Sequence, residues 1–76
     1  MAVFFNAMKV SDYDTWIVRV ENEYLVAVAY VDTGMCRLSG SPYEALRFQD
    51  GADASMVARR AGGNAIRFNP ITGRVG

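Results

Sequence analysis

A β-hairpin pattern dominates the first half of the chain. The letters TWIVRVENEYLVAVAYV, residues 15–31, hold two runs rich in β-branched and aromatic residues, separated by Glu21, Asn22 and Glu23. The second run is predicted to continue through Val31, and its residues are apolar on both faces. A strand of this kind needs cover on both sides. Because one helix can cover only one face, we expect the N-terminal segment or another subunit to cover the other.

Three further strands are predicted around this hairpin. Alternating side chains predict a strand over Ala2–Val10, with a polar turn after it. A third hairpin strand is predicted within Met35–Gly40. A final strand is predicted over Asn64–Phe68, and Pro70 should stop it. The tail beyond it is interpreted as a frayed end or a last turn.

Two helix starts are signalled in the second half. Ser41 can act as an N-cap, Pro42 suits the first helical position, and Glu44 completes a Ser-x-x-Glu capping box. This predicts a short helical turn. The main helix is predicted over Ala52–Ala61, with Asp50 as its cap.

Two arginines lie near the end of the main helix. Arg59 and Arg60 are off the apolar stripe and precede Gly62, which should end the helix in a left-handed conformation. Arginines in a last helical turn complement the negative end of the helix dipole. We therefore favour a solvated pair over a binding pair. The stripe itself consists of small residues at helical spacing: Ala54, Val57, Ala58 and Ala61.

The fold prediction is a single small α+β domain over residues 1–76, with a mainly antiparallel sheet and one principal helix on one face. A chain of 76 residues buries little surface, so small domains often need extra support. Cys36 is the only cysteine, which excludes a disulfide within the monomer. Support must then come from an efficient core or from self-association, and we expect a homodimer.

Several function classes are disfavoured by composition. The chain has no histidine, so a catalytic triad or a zinc site would need unusual substitutes, and we expect no enzyme activity, no metal site and no cofactor. Eight basic and eight acidic residues cancel, which disfavours a nucleic-acid partner. The N-terminus has neither a signal-peptide pattern nor a membrane span, so we expect a cytoplasmic protein without a membrane partner.

Aromatic residues and arginines are the candidates for recognition of a protein partner, because both are enriched at interface hot spots. The same aromatics are also explained as core or dimer-interface residues, and that interpretation is favoured. The predicted partner contacts are Trp16, Tyr24, Tyr30, Arg59 and Arg60. The alternative, a nucleic-acid-binding accessory or regulatory protein, would use Arg37, Arg47, Arg59, Arg60 and Arg67.

Four features together resemble small uncharacterised proteins encoded by bacteriophages and prophages. They are an aromatic-led strand at Trp16–Val20, Tyr24 with Leu25 in the returning strand, an E-A-x-R-F element at Glu44–Phe48, and an alanine-spaced helix closed by two glycines at Ala54–Gly63. The resemblance covers residues 15–68 and omits the N-terminal segment. Its motifs are structural, and no catalytic residues come with it.

This resemblance implies a bacterial host cell and a counter-defence role. Small, neutral phage proteins without cofactors resemble stoichiometric inhibitors of host machinery, of which anti-CRISPR proteins are the best-known class. The leading hypothesis is therefore a non-enzymatic inhibitor that binds a host protein complex in the bacterial cytoplasm. A structural phage component is a second alternative to it, after the nucleic-acid-binding protein.

Overall fold

The computed structural model describes residues 9–27 and 37–76. Five antiparallel strands form one sheet in the order β3-β2-β1-β4-β5, and one helix packs on it, so the predicted α+β class is confirmed. The strands are β1 (Thr15–Val20), β2 (Glu23–Ala27), β3 (Arg37–Ser39), β4 (Asn64–Asn69) and β5 (Arg74–Val75), the helix is α1 (Gly51–Ala61), and 3-10 turns span Val10–Tyr13 and Pro42–Glu44.

The central strand is β1, which pairs with β2 on one side and with β4 on the other. A two-residue turn joins β1 to β2, and Glu21 adopts a positive φ of 57° in it. The predicted hairpin is confirmed as far as Ala27. Its extension to Val31 lies outside the described residues, as do residues 2–8 of the strand predicted over Ala2–Val10. Val10 does not end a strand as predicted, because it begins a 3-10 turn that leads into β1.

Both faces of the sheet are covered at its centre. Ile17 and Val18 are neighbours on β1, so they point to opposite faces, and both are 0% exposed. On the helix side, Val18 packs with Leu25 and with Ala58 of α1. On the opposite face, Ile17 lies in a cluster with two further buried residues, Ala45 and Phe68.

Cover of the opposite face comes in part from the predicted short helical turn, although the sequence analysis assigned this role to the N-terminal segment or another subunit. The turn at Pro42–Glu44 and the residues after it pack there, with Tyr43 edge-on to Phe68 at 5.1 Å between ring centres. Tyr24 also packs against this cluster from β2. Within the described residues, this face is therefore closed by the chain itself.

The main helix follows its sequence signals closely. The Asp50 carboxylate accepts a hydrogen bond from the Ala52 N–H at 2.8 Å, as the cap prediction requires. The helix begins at Gly51, one residue earlier than predicted, and Ala54 and Ala58 are its buried residues. Gly62 ends it with a φ of 79°, which confirms the left-handed cap.

The capping box predicted at Ser41 forms only in part. The Ser41 hydroxyl accepts from the Tyr43 N–H at 3.3 Å, so the serine does cap the turn. The Glu44 carboxylate, however, accepts from the Ser39 hydroxyl instead of the Ser41 N–H, which itself donates to Ser39 at 3.1 Å. The glutamate half of the prediction is wrong because Ser39, at the end of β3, offers a competing donor.

The tail is ordered by pairing. β4 ends at Asn69, one residue beyond the predicted end, and Pro70 follows it directly, as expected of the residue that stops the strand. The chain then turns and returns as β5, with Phe68 opposite Val75 and Asn69 opposite Arg74. The interpretation as a frayed end is wrong, and the alternative of a last turn describes only its first part. Backbone pairing with β4 gives this segment partners that a free end would lack.

Candidate functional site

A cleft of about 530 Å³ opens where the turn at Val10–Tyr13 meets the β4–β5 hairpin. Its volume is in the range of sites that accept small molecules or a few side chains of a partner. The lining residues come from both ends of the described chain: Val10, Ser11, Asp14, Arg67, Phe68, Asn69, Thr72, Arg74 and Gly76.

Asn69 holds the two walls of this cleft together. Its side-chain amide donates to the Val10 carbonyl at 2.9 Å and to the Asp14 carboxylate at 2.7 Å. Its side-chain oxygen accepts from the backbone N–H groups of Ile71 at 2.8 Å and Thr72 at 3.2 Å. Asn69 is the one buried polar residue among the described residues, and all its polar atoms are bonded. This satisfied network fixes the cleft geometry.

Asp14 connects Asn69 to a cation on β4. One carboxylate oxygen accepts from Asn69, and the other lies 3.3 Å from a guanidinium nitrogen of Arg67. The Arg67 guanidinium carbon also lies 5.2 Å from the centre of the Trp16 ring, within cation–π range. The cleft is therefore joined to the helix-side face of the sheet.

The side chain of Trp16, on β1, lies against the start of α1. Its backbone exchanges two hydrogen bonds with Phe48, both of 2.8 Å, so the segment before the helix runs alongside β1. A methyl group added at Gly51 would lie 2.9 Å from the indole ring, which shows how closely the ring approaches the helix backbone. With Arg67 also over the ring, Trp16 is half-buried.

Exposed apolar side chains flank the cleft. Val10 is 50% exposed and lines it, and Ile71, on the turn before β5, is 58% exposed. The 53% exposed Tyr43 belongs to the same end of the molecule, because its phenol oxygen lies against Gly73. The cleft thus combines apolar rim residues with the cations Arg67 and Arg74, a composition typical of protein–protein contacts.

The residues predicted to contact a partner do not form one patch. Trp16 lies on the helix side of the sheet, and Tyr24 lies half-buried on the opposite face. Arg59 and Arg60 are exposed in the last turn of α1. Tyr30 lies outside the described residues. Trp16 alone of these connects to the cleft, through Arg67, and their assignment as contacts stays a prediction.

The arginines of the nucleic-acid alternative are also dispersed. Arg67 is paired with Asp14, and Arg47 lies over the Phe68 ring, 5.7 Å from its centre, on the face away from the helix. Arg37 lies on the edge strand β3. A phosphate backbone is usually tracked by a continuous row of cations. In the described parts of the chain, these arginines do not form such a row.

The described ranges, 9–27 and 37–76, lack two further features. They contain no group of three or more histidine, cysteine, aspartate or glutamate side chains placed to hold a metal ion. They also contain no helix long and apolar enough to cross a membrane.

The cleft residues Asn69, Thr72 and Arg74 were missed by sequence reasoning, which treated the tail as a loose end. A local signal was present in the letters NPITG, because asparagine followed by proline, threonine and glycine is typical of a turn held by the asparagine side chain. That signal predicts the two bonds from Ile71 and Thr72. It does not predict the bonds to Val10 and Asp14, more than fifty residues away.

Comparison with known proteins gave no match, whether to a protein family, to a curated protein or to a solved structure.

Proposed function

We propose that this chain is a non-enzymatic binding protein whose partner is another protein. The observation that supports the proposal best is the cleft beside Asn69, with the exposed apolar residues Val10 and Ile71 and the cations Arg67 and Arg74 around it. Apolar, aromatic and arginine side chains around a rigid concave surface are what a protein interface requires.

A protein partner is favoured over a nucleic acid by charge. The formal net charge of the chain is zero, so it lacks the long-range attraction that drives non-specific binding to phosphates. One of the two cleft arginines, Arg67, is already paired with Asp14. These features suit local recognition of a few side chains.

Inhibition of a host complex extends this proposal. The resemblance to small phage and prophage proteins supports a stoichiometric, anti-CRISPR-like inhibitor that acts in the bacterial cytoplasm. A compact domain can block a site without chemistry of its own, provided that its surface is rigid and complementary. The hydrogen-bonded walls of the cleft supply that rigidity.

Self-association also stays a proposal. Within residues 9–27 and 37–76 the sheet has two edge strands, β3 and β5, and each carries an exposed arginine, Arg37 and Arg74 respectively. Positive charge on an edge strand opposes edge-to-edge pairing of identical chains. A homodimer would therefore use a face of the domain, and its mass in solution can be measured by light scattering.

The experiment is affinity capture of the tagged protein from a bacterial lysate, with half of the lysate treated with nuclease. Wild type is compared with Arg74→Glu, which reverses a cleft charge, and with Arg37→Glu, a matched reversal on the opposite edge strand. We expect a stoichiometric protein that survives nuclease, is lost with Arg74→Glu and is retained with Arg37→Glu.

Each other outcome contradicts part of the proposal. Loss of the partners on nuclease treatment would show that capture depends on a nucleic acid and would favour the nucleic-acid-binding alternative. A partner retained equally by both variants would remove the cleft from the interface while leaving the protein-binding function. If the tagged chain chemically modified the captured partner with turnover, the non-enzymatic assignment would be overturned.

A further inference from the structure

The geometry points to an acidic segment of the partner as the occupant of the cleft: an aspartate or glutamate carboxylate bound by Arg74 and Arg67, with an apolar neighbour against Val10 and Ile71. This inference rests on the proposed function, because it names the chemistry by which a protein partner would be recognised.

The first argument is that the principal side-chain acceptors of the cleft are already used. Both oxygens of the Asp14 carboxylate have partners, one in Asn69 and the other in Arg67. The Asn69 oxygen accepts two backbone N–H groups. A cationic ligand would have to compete with Arg67 for the charge of Asp14, and the Asn69 oxygen has both lone pairs occupied.

The second argument is that the cleft has hydrogen-bond donors without an acceptor among the described residues. Arg74 has no acidic partner among the described residues, and its side chain is exposed. The Thr72 hydroxyl accepts from the Arg74 backbone N–H at 3.2 Å, which leaves its own proton for a ligand. The side chains that line the cleft carry two positive charges, on Arg67 and Arg74, and one negative charge, on Asp14. A surplus of donors and positive charge selects an anion.

The third argument decides between a carboxylate on a protein and a phosphate chain. Val10 is exposed within the cleft, and Ile71 is exposed on the adjoining turn. These side chains are poor neighbours for a sugar–phosphate backbone but suit an apolar residue next to the acid in a peptide. Arginine can then hold the carboxylate in a bidentate arrangement.

The test uses the full chain labelled with ¹⁵N and two probe peptides. One is a blocked peptide of alternating aspartate and leucine, and in the other asparagine replaces every aspartate. We expect amide shifts at Ser11, Thr72 and Arg74 with the acidic peptide, absent with the neutral one. Arg74→Gln should weaken this binding by about tenfold, the loss of one charge-assisted hydrogen bond. Arg37→Gln is the matched control and should bind as wild type.

Each remaining result overturns the inference. Equal shifts with the neutral peptide would assign the binding to apolar contacts alone. Amide shifts spread over α1 would place the peptide carboxylate away from the cleft. Unchanged affinity of Arg74→Gln, in a variant whose dispersed spectrum shows that it is folded, would do the same. Tighter binding of a single-stranded oligonucleotide would replace the acidic peptide by a phosphate chain. The proposed function and this inference can fail separately. If a protein is captured equally by wild type and Arg74→Glu, the inference about the cleft fails while the protein-binding function stands.

Discussion

Arg67 lies between an aromatic ring and a carboxylate: its guanidinium carbon is 5.2 Å from the centre of the Trp16 ring, and one of its nitrogens is 3.3 Å from Asp14. Two partners restrict the side chain more than either one alone would. Arg67 therefore couples the helix-side face of the sheet to the wall of the cleft.

The Trp16–Arg67 contact should be measurable as a coupling energy. We expect a double-mutant cycle of Trp16→Leu and Arg67→Met to give about 0.5–1 kcal/mol, the value typical of an exposed cation–π pair. Chemical unfolding followed by circular dichroism supplies the four free energies. Additive effects of the two substitutions would show that the contact contributes nothing to stability.

Asn69 should be the most sensitive polar residue of the cleft. Asn69→Ala removes four hydrogen bonds made by a buried side chain, so we expect a loss of about 3 kcal/mol in the free energy of unfolding. Asn64→Ala, at an exposed position on the same strand, is the control and should change little. Equal urea midpoints for the two variants would contradict the role assigned to Asn69.

Gly62 and Gly63, the two glycines after α1, should differ in the stability lost when each is replaced by alanine. Gly62→Ala forces a side chain into the left-handed region and should cost about 1 kcal/mol. Gly63 has no positive φ, but a methyl group there would collide with the backbone carbonyl oxygen of Arg19 and lie 2.9 Å from the Val20 side chain. Gly63→Ala should therefore cost about 3 kcal/mol. Thermal unfolding of both variants measures the difference, and a reversed order would refute it.

The arginines at the end of α1 test the contacts predicted from sequence. The contacts predicted from sequence require that Arg59→Glu with Arg60→Glu abolish partner capture without unfolding the domain, whereas an interface confined to the cleft requires that capture be retained. The exposed positions tolerate the change, at a cost of about 0.5 kcal/mol each from the helix dipole. Circular dichroism checks the fold, and wild-type capture by the double variant would remove both residues from the interface.

Sequence reasoning succeeded where the signals are local. The cap at Asp50, the buried stripe of α1 and the left-handed Gly62 depend on neighbours within one or two turns, and all three were predicted. It failed at Glu44, where a local capping rule lost to a hydroxyl on another element. Competition between partners cannot be read from spacing alone.

The cleft could not be predicted from the sequence for a related reason. Its defining bonds join Asn69 to Val10 and Asp14, which are 59 and 55 residues away. No periodic pattern relates such distant positions, and only the pairing of β1 with β4 brings them together. The same limit explains why the cover supplied by Tyr43 and Ala45 was not foreseen.

The single tryptophan gives the protein a built-in optical reporter. The Arg67 guanidinium lies over the Trp16 ring, so a ligand that draws Arg67 away will change the electric field at the ring and with it the emission wavelength. Occupancy of the cleft can then be followed at micromolar concentration without an attached dye. The chain thus carries its own assay for candidate ligands of the cleft.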